Sequence, residues 1–127
     1  MSPPIRAVTV LVVDDEAAMR ALTRRILEGE GYHVYEAADG VEALATLTQG
    51  WPVDAIVTDI RMPRMDGREL ANRLTTHSPR IPIVFMSGYD VYLGPVDLQG
   101  PVLAKPFRSE QLTAVVSQLL ARQAQSV

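Results

Sequence analysis

Five polar side chains stand directly after short apolar runs, at places where buried strands would end. Two adjacent carboxylates, Asp14 and Asp15, follow the run Val8–Val13, although neighbouring like charges repel each other and a strand end solvates them poorly. The other three residues are Asp59 after AIVT, Ser87 after IVFM and Lys105 after VLA. If the fold brings these strand ends to one edge, three carboxylates, a hydroxyl and an ammonium share one site.

This set of side chains suits phosphoryl chemistry. Three carboxylates repel one another by roughly 1 kcal/mol per pair in water, and by more when they are partly buried. A hard divalent cation removes that penalty, and Mg²⁺ favours such oxygen ligands and also binds phosphoryl oxygens. A lysine supplies positive charge that suits phosphate, and a serine hydroxyl can donate a hydrogen bond to it. We therefore interpret Asp59 as a nucleophile toward phosphorus, with Lys105 and the metal stabilising charge on the phosphoryl oxygens.

Strand and helix patterns alternate along the chain, which indicates that a parallel sheet positions these residues. The predicted strands are Val8–Val13, His33–Ala37, Ala55–Asp59, Ile81–Ser87 and Pro101–Ala104. The predicted helices are Glu16–Glu30, Val41–Thr48, Gly67–Thr76 and a last helix capped by Ser109. Further capping signals are Asp39 with Glu42 and Asp66 with Glu69.

The fold class follows from this alternation. We predict an α/β fold with a doubly wound, flavodoxin-like, five-stranded parallel sheet in the order 2-1-3-4-5. Ligands bind such sheets outside the carboxyl ends of the strands. Because strand 3 is central in this order, Asp59 should lie in the middle of the site, with Asp14 and Asp15 on one side and Ser87 on the other.

Composition limits the classes of function. The chain has 127 residues and a formal net charge of −3, and we interpret residues 1–127 as a single domain with a core of about residues 7–120. No long basic run occurs, so we expect no direct nucleic-acid binding. The absence of cysteine excludes disulfides and thiolate metal sites. Without a signal-peptide pattern or an apolar stretch of membrane-spanning length, we expect a cytoplasmic protein with no membrane insertion.

Four stretches, VVDDE, VTDIRMPRMDG, FMSGY and AKPF, resemble the motifs of the response-regulator receiver domain in order and spacing. This family is the phospho-accepting module of two-component and phosphorelay signalling, and the resemblance covers about Ala7 to Leu120. It implies that Asp59 takes a phosphoryl group, with Mg²⁺, from a phosphohistidine on a sensor histidine kinase or a histidine phosphotransfer protein. It also implies a domain that signals by conformational change and is not an enzyme, although it catalyses its own phosphotransfer and dephosphorylation.

The same resemblance implies a role for each site residue. Asp14, Asp15 and Asp59 organise the Mg²⁺ site, in which Asp15 rather than Asp14 is expected as the direct ligand. The backbone carbonyl of Arg61 is expected as a further ligand. Ser87 and Lys105 are expected to contact the phosphoryl group, and the peptide bond from Lys105 to Pro106 is expected to be cis.

The stretch between strands 4 and 5, Gly88–Val102, departs from the family pattern. A parallel crossover usually contains a helix. Glycine and proline interrupt this one, and in a helix interior they cost roughly 1 and 3 kcal/mol each. We therefore predict a short or irregular fourth helix of at most one or two turns, and we hypothesise that Gly88–Gly100 reorders on phosphorylation.

Two single positions bear on switching and on the lifetime of the phosphorylated state. In the family an aromatic residue on strand 5 turns inward, but the matching position here is Val102, which has no ring. We therefore expect neither the standard aromatic switch nor the usual dimer, but a monomer or a weak dimer. Tyr89, two residues beyond Ser87, is expected to shield the acyl phosphate from water.

Alternative functions stay open at this point. One is an interaction module with a vestigial site. Another is an aspartate-nucleophile phosphatase of the haloacid dehalogenase type, which needs a second acid two residues after the nucleophile, where this chain has Arg61. We interpret Arg61, Arg64 and Arg68 as solvated surface beside the acids. The sequence also leaves open whether this is a stand-alone regulator or the receiver of a hybrid kinase.

Overall fold

The computed structural model describes residues 7–77, 81–88 and 100–125, and every structural statement below refers to these residues. The strands are β1 Thr9–Val13, β2 His33–Ala37, β3 Ala55–Asp59, β4 Ile83–Ser87 and β5 Val102–Ala104. The helices are α1 Ala17–Gly29, α2 Gly40–Thr48, α3 Gly67–His77 and α4 Ser109–Gln125. None of the helices in these ranges combines the length and the apolar character needed to cross a membrane.

The strands form one fully parallel sheet in the order β2-β1-β3-β4-β5, so the predicted fold class is confirmed. Because all strands run in the same direction, their carboxyl ends share one edge. The register pairs Asp59 of β3 with Met86 of β4, and Ser87 of β4 with Ala104 of β5. The residues at the carboxyl ends of adjacent strands therefore lie next to one another at this edge of the sheet.

Three central strands, β1, β3 and β4, are buried along their whole length. Successive residues of a strand face opposite sides of the sheet, so two apolar clusters form, one on each face. One cluster contains Leu11, Val13, Ile56 and Phe85 with Ala43 of α2 and Leu70 of α3. The other contains Val10, Val12, Val57 and Met86 with Leu27 of α1 and Leu112 of α4. Burial on both faces explains why the strands read as continuous apolar runs.

Strands β2 and β3 have the predicted bounds, whereas β4 and β5 start later than predicted, at Ile83 and Val102. A proline, Pro82 or Pro101, precedes each start. Its carbonyl accepts a hydrogen bond from the neighbouring strand, but its ring nitrogen has no N–H to donate. The smaller differences are that β1 begins at Thr9, α1 covers Ala17–Gly29, α2 begins at Gly40 and α3 ends at His77.

Two of the predicted N-caps are confirmed. Asp39 Oδ1 accepts a hydrogen bond from the N–H of Glu42 at 3.0 Å, and Asp66 Oδ1 accepts one from the N–H of Glu69 at 2.9 Å. The third prediction is wrong, because Ser109 is the first residue of α4 and the carbonyl of the preceding residue accepts the bonds that close the first turn. The predicted short fourth helix and Tyr89 fall within residues 89–99, outside the described residues.

Gly67 allows α3 to begin against the end of β3. A Cβ atom at this position would lie 2.5 Å from the carbonyl oxygen of Asp59. The N–H of Gly67 also donates to the carbonyl of Ile60 at 2.8 Å. Since the obstructing atoms belong to the backbone, they cannot rotate away, and any larger residue must displace the strand end that carries Asp59.

We predict that Gly67→Ala lowers the free energy of unfolding by about 1–3 kcal/mol, the usual cost of overpacking a tight site. Urea unfolding measures the change. Gly29→Ala is the matched control, because a Cβ there meets no atom within 4 Å and alanine favours the helix by up to about 1 kcal/mol. Wild-type stability in Gly67→Ala would contradict the close approach.

Candidate functional site

Four of the predicted site residues meet at the carboxyl edge of the sheet. Asp14, Asp15 and Asp59 each offer a carboxylate oxygen, and these oxygens lie within 4.8 Å of one another. The Nζ atom of Lys105 lies 3.2 Å from Asp14 Oδ2 and 3.2 Å from Asp59 Oδ2. The ends of β1, β3 and β5, far apart in sequence, therefore supply one cluster of three acids and one ammonium.

Hydrogen bonds fix both the backbone and the carboxylate of Asp14. Its N–H donates to the carbonyl of Ala37 on β2 at 3.1 Å, which extends the pairing of β1 with β2. Its Oδ1 accepts from the N–H of Glu16 at 3.0 Å, and its Oδ2 accepts from Lys105. The residue is fully buried, whereas Asp15 is exposed. The carboxylate of Asp14 is thus held in place by its neighbours, whereas Asp15 is open to solvent.

The environment of the cluster disfavours the ionised form of Asp59. Burial raises the pKa of Asp59, and repulsion by Asp14 and Asp15 adds to this against the attraction of Lys105. Burial alone would lower the pKa of Lys105, but the two carboxylates beside it outweigh burial and raise that pKa. At neutral pH the ammonium therefore stays charged, and the ionised form of Asp59 is held at a free-energy cost.

Ser87 lies at the same edge, one strand away from Asp59. It is buried at the end of β4, and the N–H of Lys105 donates to its carbonyl at 2.7 Å. Its hydroxyl donates to the carbonyl of Gly88 at 3.3 Å, a long hydrogen bond. The structure thus brings Ser87 to the predicted edge, while its contact with a phosphoryl group stays a prediction.

The remaining expectations have mixed outcomes. The peptide bond between Lys105 and Pro106 is cis, as predicted. Val102, at the position of the family's aromatic residue, has 43% of its surface exposed on β5. Arg61 lies in the loop after β3 with an exposed side chain, and the role of its backbone carbonyl as a metal ligand stays a prediction.

The donor set fits a hard divalent cation. The three acids of the cluster offer carboxylate oxygens, the ligand type that Mg²⁺ prefers, and the exposure of Asp15 leaves room for the waters that this ion retains. A cation would also relieve the repulsion that Asp59 experiences from Asp14 and Asp15. The residues present therefore suit the ion on grounds of both donor chemistry and charge.

Arg20 and Glu36 also support the site, although neither was predicted from the sequence. Arg20 lies in the first turns of α1, and its Nη1 donates to the backbone carbonyl of Asp14 at 2.7 Å. Its Nε donates to Glu36 Oε1 on β2 at 3.0 Å. The available signal was Arg20 near the start of the helix that follows the acids, together with Glu36 on the predicted strand His33–Ala37.

Arg64 is more than solvated surface. Its side chain is largely exposed, yet its Nε lies 2.6 Å from Asp39 Oδ2, and its φ of 65° lies in the left-handed region. The hydrogen bond from Arg64 is the main reason that the pKa of Asp39 is lowered. The N–H of Gly40 also donates to the carbonyl of Met65 at 3.1 Å. These contacts fasten the loop after Asp59 to the start of α2.

Comparisons with known proteins identify the family of this chain. A family model described as "Response regulator receiver domain" matches residues 10–117. The chain is 42% identical over 120 residues to Sensor kinase CckA of Brucella abortus, and 40% identical over 119 residues to Response regulator MprA of a Mycobacterium species. Each alignment covers 91% of this chain, but only 13% of the first protein and 51% of the second. The chain therefore spans about half or less of the length of these curated relatives.

Solved structures show the same likeness. The crystal structure of a response regulator receiver protein from Sinorhizobium medicae matches with a TM-score of 0.83 and 35% identity, covering 92% of this chain and 97% of that one. A CheY-like response regulator receiver domain protein from Methanospirillum hungatei matches with a TM-score of 0.88 and 27% identity, covering 96% and 100%.

We predict that Asp59→Asn stabilises the metal-free protein at pH 7, by on the order of 1 kcal/mol. The pKa of Asp59 is raised in the folded state, so the penalty appears as pH rises from the unfolded-state pKa to the folded-state pKa and persists above it. Thermal unfolding in a chelator checks this, and the advantage should vanish in acid.

The matched control for that comparison is Asp66→Asn. Asp66 belongs to the same loop and caps α3, and asparagine caps as well as aspartate does, so its stability should stay near that of the wild type. Destabilisation by Asp59→Asn at pH 7 would contradict the conclusion that ionised Asp59 carries a net free-energy cost in the folded protein.

Proposed function

This chain belongs to the response regulator receiver domain family, and on that premise we propose that Asp59 accepts a phosphoryl group from a partner's phosphohistidine. The family implies a histidine kinase or a histidine phosphotransfer protein as that partner. The observation that carries the proposal is the position of Asp59, 3.2 Å from the ammonium of Lys105 and clustered with Asp14 and Asp15.

The transfer is a displacement at phosphorus. A carboxylate oxygen of Asp59 forms the new P–O bond while the P–N bond to the histidine breaks, and the imidazole leaves with the bonding electron pair. The raised pKa of Asp59 makes its ionised form a better nucleophile than an ordinary carboxylate. Lys105 holds a fixed positive charge beside the reacting oxygen, where negative charge accumulates on the phosphoryl group.

A metal ion would complete the charge balance. Mg²⁺ held by Asp14, Asp15 and Asp59, with the backbone carbonyl of Arg61, would neutralise charge on the phosphoryl oxygens. Because both carboxylate oxygens of Asp14 already accept hydrogen bonds, we assign direct ligation first to Asp15 and Asp59.

Ser87 supplies the remaining contact. Its hydroxyl makes a long bond of 3.3 Å to the carbonyl of Gly88, so little is lost when it turns to donate to a phosphoryl oxygen on Asp59. Because the carbonyl of Ser87 is joined to the N–H of Lys105, a shift of Ser87 is transmitted to the end of β5. We propose this connection as the start of the conformational signal.

Further parts of the proposal concern the setting of the domain. We propose a cytoplasmic location, supported by the absence of cysteine, and a monomer or weak dimer, supported by the missing ring at Val102. The chain covers about half or less of the length of its curated relatives.

Intact-mass spectrometry after incubation with Mg²⁺ and acetyl phosphate tests the proposal. We expect the wild type to gain the mass of one phosphoryl group, because Asp59 faces both the metal ligands and Lys105. Asp59→Asn should gain none. Asp66→Asn, on the same loop but used only to cap α3, should be labelled like the wild type.

The other outcomes identify the competing functions. Release of phosphate over many turnovers without a stable adduct would indicate a phosphatase. Absence of both adduct and turnover would indicate a vestigial site. Labelling that persists in Asp59→Asn would move the acceptor to another residue and contradict the assignment.

A further inference from the structure

Arg20 joins the backbone of the acid pair to the neighbouring edge strand. Its Nη1 donates to the carbonyl oxygen of Asp14 at 2.7 Å, and its Nε donates to Glu36 Oε1 at 3.0 Å. Glu36 lies on β2, where it pairs with Val12 of β1. Only 20% of the Arg20 side chain is exposed. One side chain from α1 therefore bridges the end of β1 and a residue near the carboxyl end of β2.

The carbonyl of Asp14 controls where Asp15 points. The peptide group between them is planar, so fixing the carbonyl of Asp14 fixes the plane that also carries the N–H and Cα of Asp15. Asp15 is exposed, so packing does not fix its side chain as it fixes that of Asp14. The direction of the Asp15 carboxylate therefore depends on the peptide plane that Arg20 holds.

We infer that Arg20, oriented by Glu36, is a positioning residue for the metal site: it holds the Asp14–Asp15 peptide so that both carboxylates face Asp59. The inference rests on the proposed function, because it concerns the affinity of the same site for Mg²⁺. It goes beyond that function by giving the cation site a supporting residue outside its ligand set.

Arg24 provides the comparison that separates positioning from charge. It lies one helical turn after Arg20, and its Nη1 donates to the other oxygen of Glu36 at 2.6 Å. Its hydrogen bond, together with that of Arg20, outweighs burial and lowers the pKa of Glu36, so that this carboxylate is ionised at neutral pH. Arg24 is also paired with Glu28, whereas Arg20 reaches the Asp14 carbonyl.

A role in positioning and a role through charge predict opposite changes in Mg²⁺ affinity when Arg20 is removed. Arg20 carries a positive charge near a cation site, so if charge alone mattered, removing it would strengthen Mg²⁺ binding. If positioning matters, removing Arg20 weakens binding despite the loss of that repulsion, because the ligands are no longer held in place. A general loss of helix stability would affect Arg20 and Arg24 variants alike.

Calorimetric titration of Mg²⁺ into the full chain decides between them. We expect Arg20→Gln to bind Mg²⁺ about tenfold more weakly than the wild type, the usual loss when a residue supporting a ligand is removed. Arg24→Gln should stay within about twofold of the wild type, because the partners of Arg24 are Glu28 and Glu36 and its exposed charge is screened by salt. Arg20→Lys should have an intermediate Mg²⁺ affinity, because lysine keeps the positive charge but lacks the planar guanidinium that donates to Asp14 and Glu36 at once.

A metal-free measurement accompanies the titration. The amide of Glu16 donates to Asp14 Oδ1, so its hydrogen exchange reports the order of the acid pair without any ion. Exchange should accelerate in Arg20→Gln and not in Arg24→Gln. If Arg20→Gln does not fold, the comparison of Arg20→Lys with Arg24→Lys carries the test, and only the former should weaken Mg²⁺ binding.

The outcomes separate this inference from the proposed function. Equal or tighter Mg²⁺ binding by a folded Arg20→Gln overturns the inference, as does an equal loss in the two glutamine variants. A wild-type chain that binds no Mg²⁺ would instead contradict the proposed function itself. A wild type that binds, with loss confined to Arg20 variants, supports both.

Discussion

Repulsion among carboxylates at one edge of the sheet is the constraint on which the rest of the structure depends. Asp14, Asp15 and Asp59 bring three negative charges together, and Lys105 returns one positive charge. Burial and this surplus of negative charge raise the pKa of Asp59. A site in this state favours a divalent cation, and an acidic centre with a bound cation and a lysine favours a phosphoryl group. In the proposed function, affinity for metal and reactivity toward phosphorus thus have one electrostatic origin.

Such repulsion can act on chemistry only if the backbone prevents the acids from moving apart. Asp14 is fixed through its N–H, its carbonyl and both carboxylate oxygens. The end of β3 is confined by the close approach of Gly67 to the carbonyl of Asp59. The following loop is tied to α2 through Arg64 and Asp39. The polar contacts around the site therefore maintain the crowding that Asp59 experiences.

The sequence predicted the sheet order, because 2-1-3-4-5 is a common order for doubly wound sheets of five strands. It also predicted that the acids meet Lys105, because each of these residues follows a recognisable apolar run and the carboxyl ends of parallel strands share one edge. It did not predict the roles of Arg20 and Arg64. Their partners lie 16 and 25 residues away, Glu36 and Asp39, and pairs across different elements leave no regular spacing in the sequence. The starts of β4 and β5 were predicted too early. The apolar runs extend back to Pro82 and Pro101, but proline has no N–H to donate to a neighbouring strand, so each strand starts after it.

Paramagnetic broadening of backbone amide NMR signals by Mn²⁺ tests most directly whether these acids form one cation site around Asp59. Mn²⁺ favours the same oxygen ligands as Mg²⁺. The account predicts broadening centred on the amides of Asp14, Asp15, Asp59 and Lys105, reversed by excess Mg²⁺, with the opposite end of the sheet unaffected. Broadening centred elsewhere, or spread evenly over the surface acids, would contradict it.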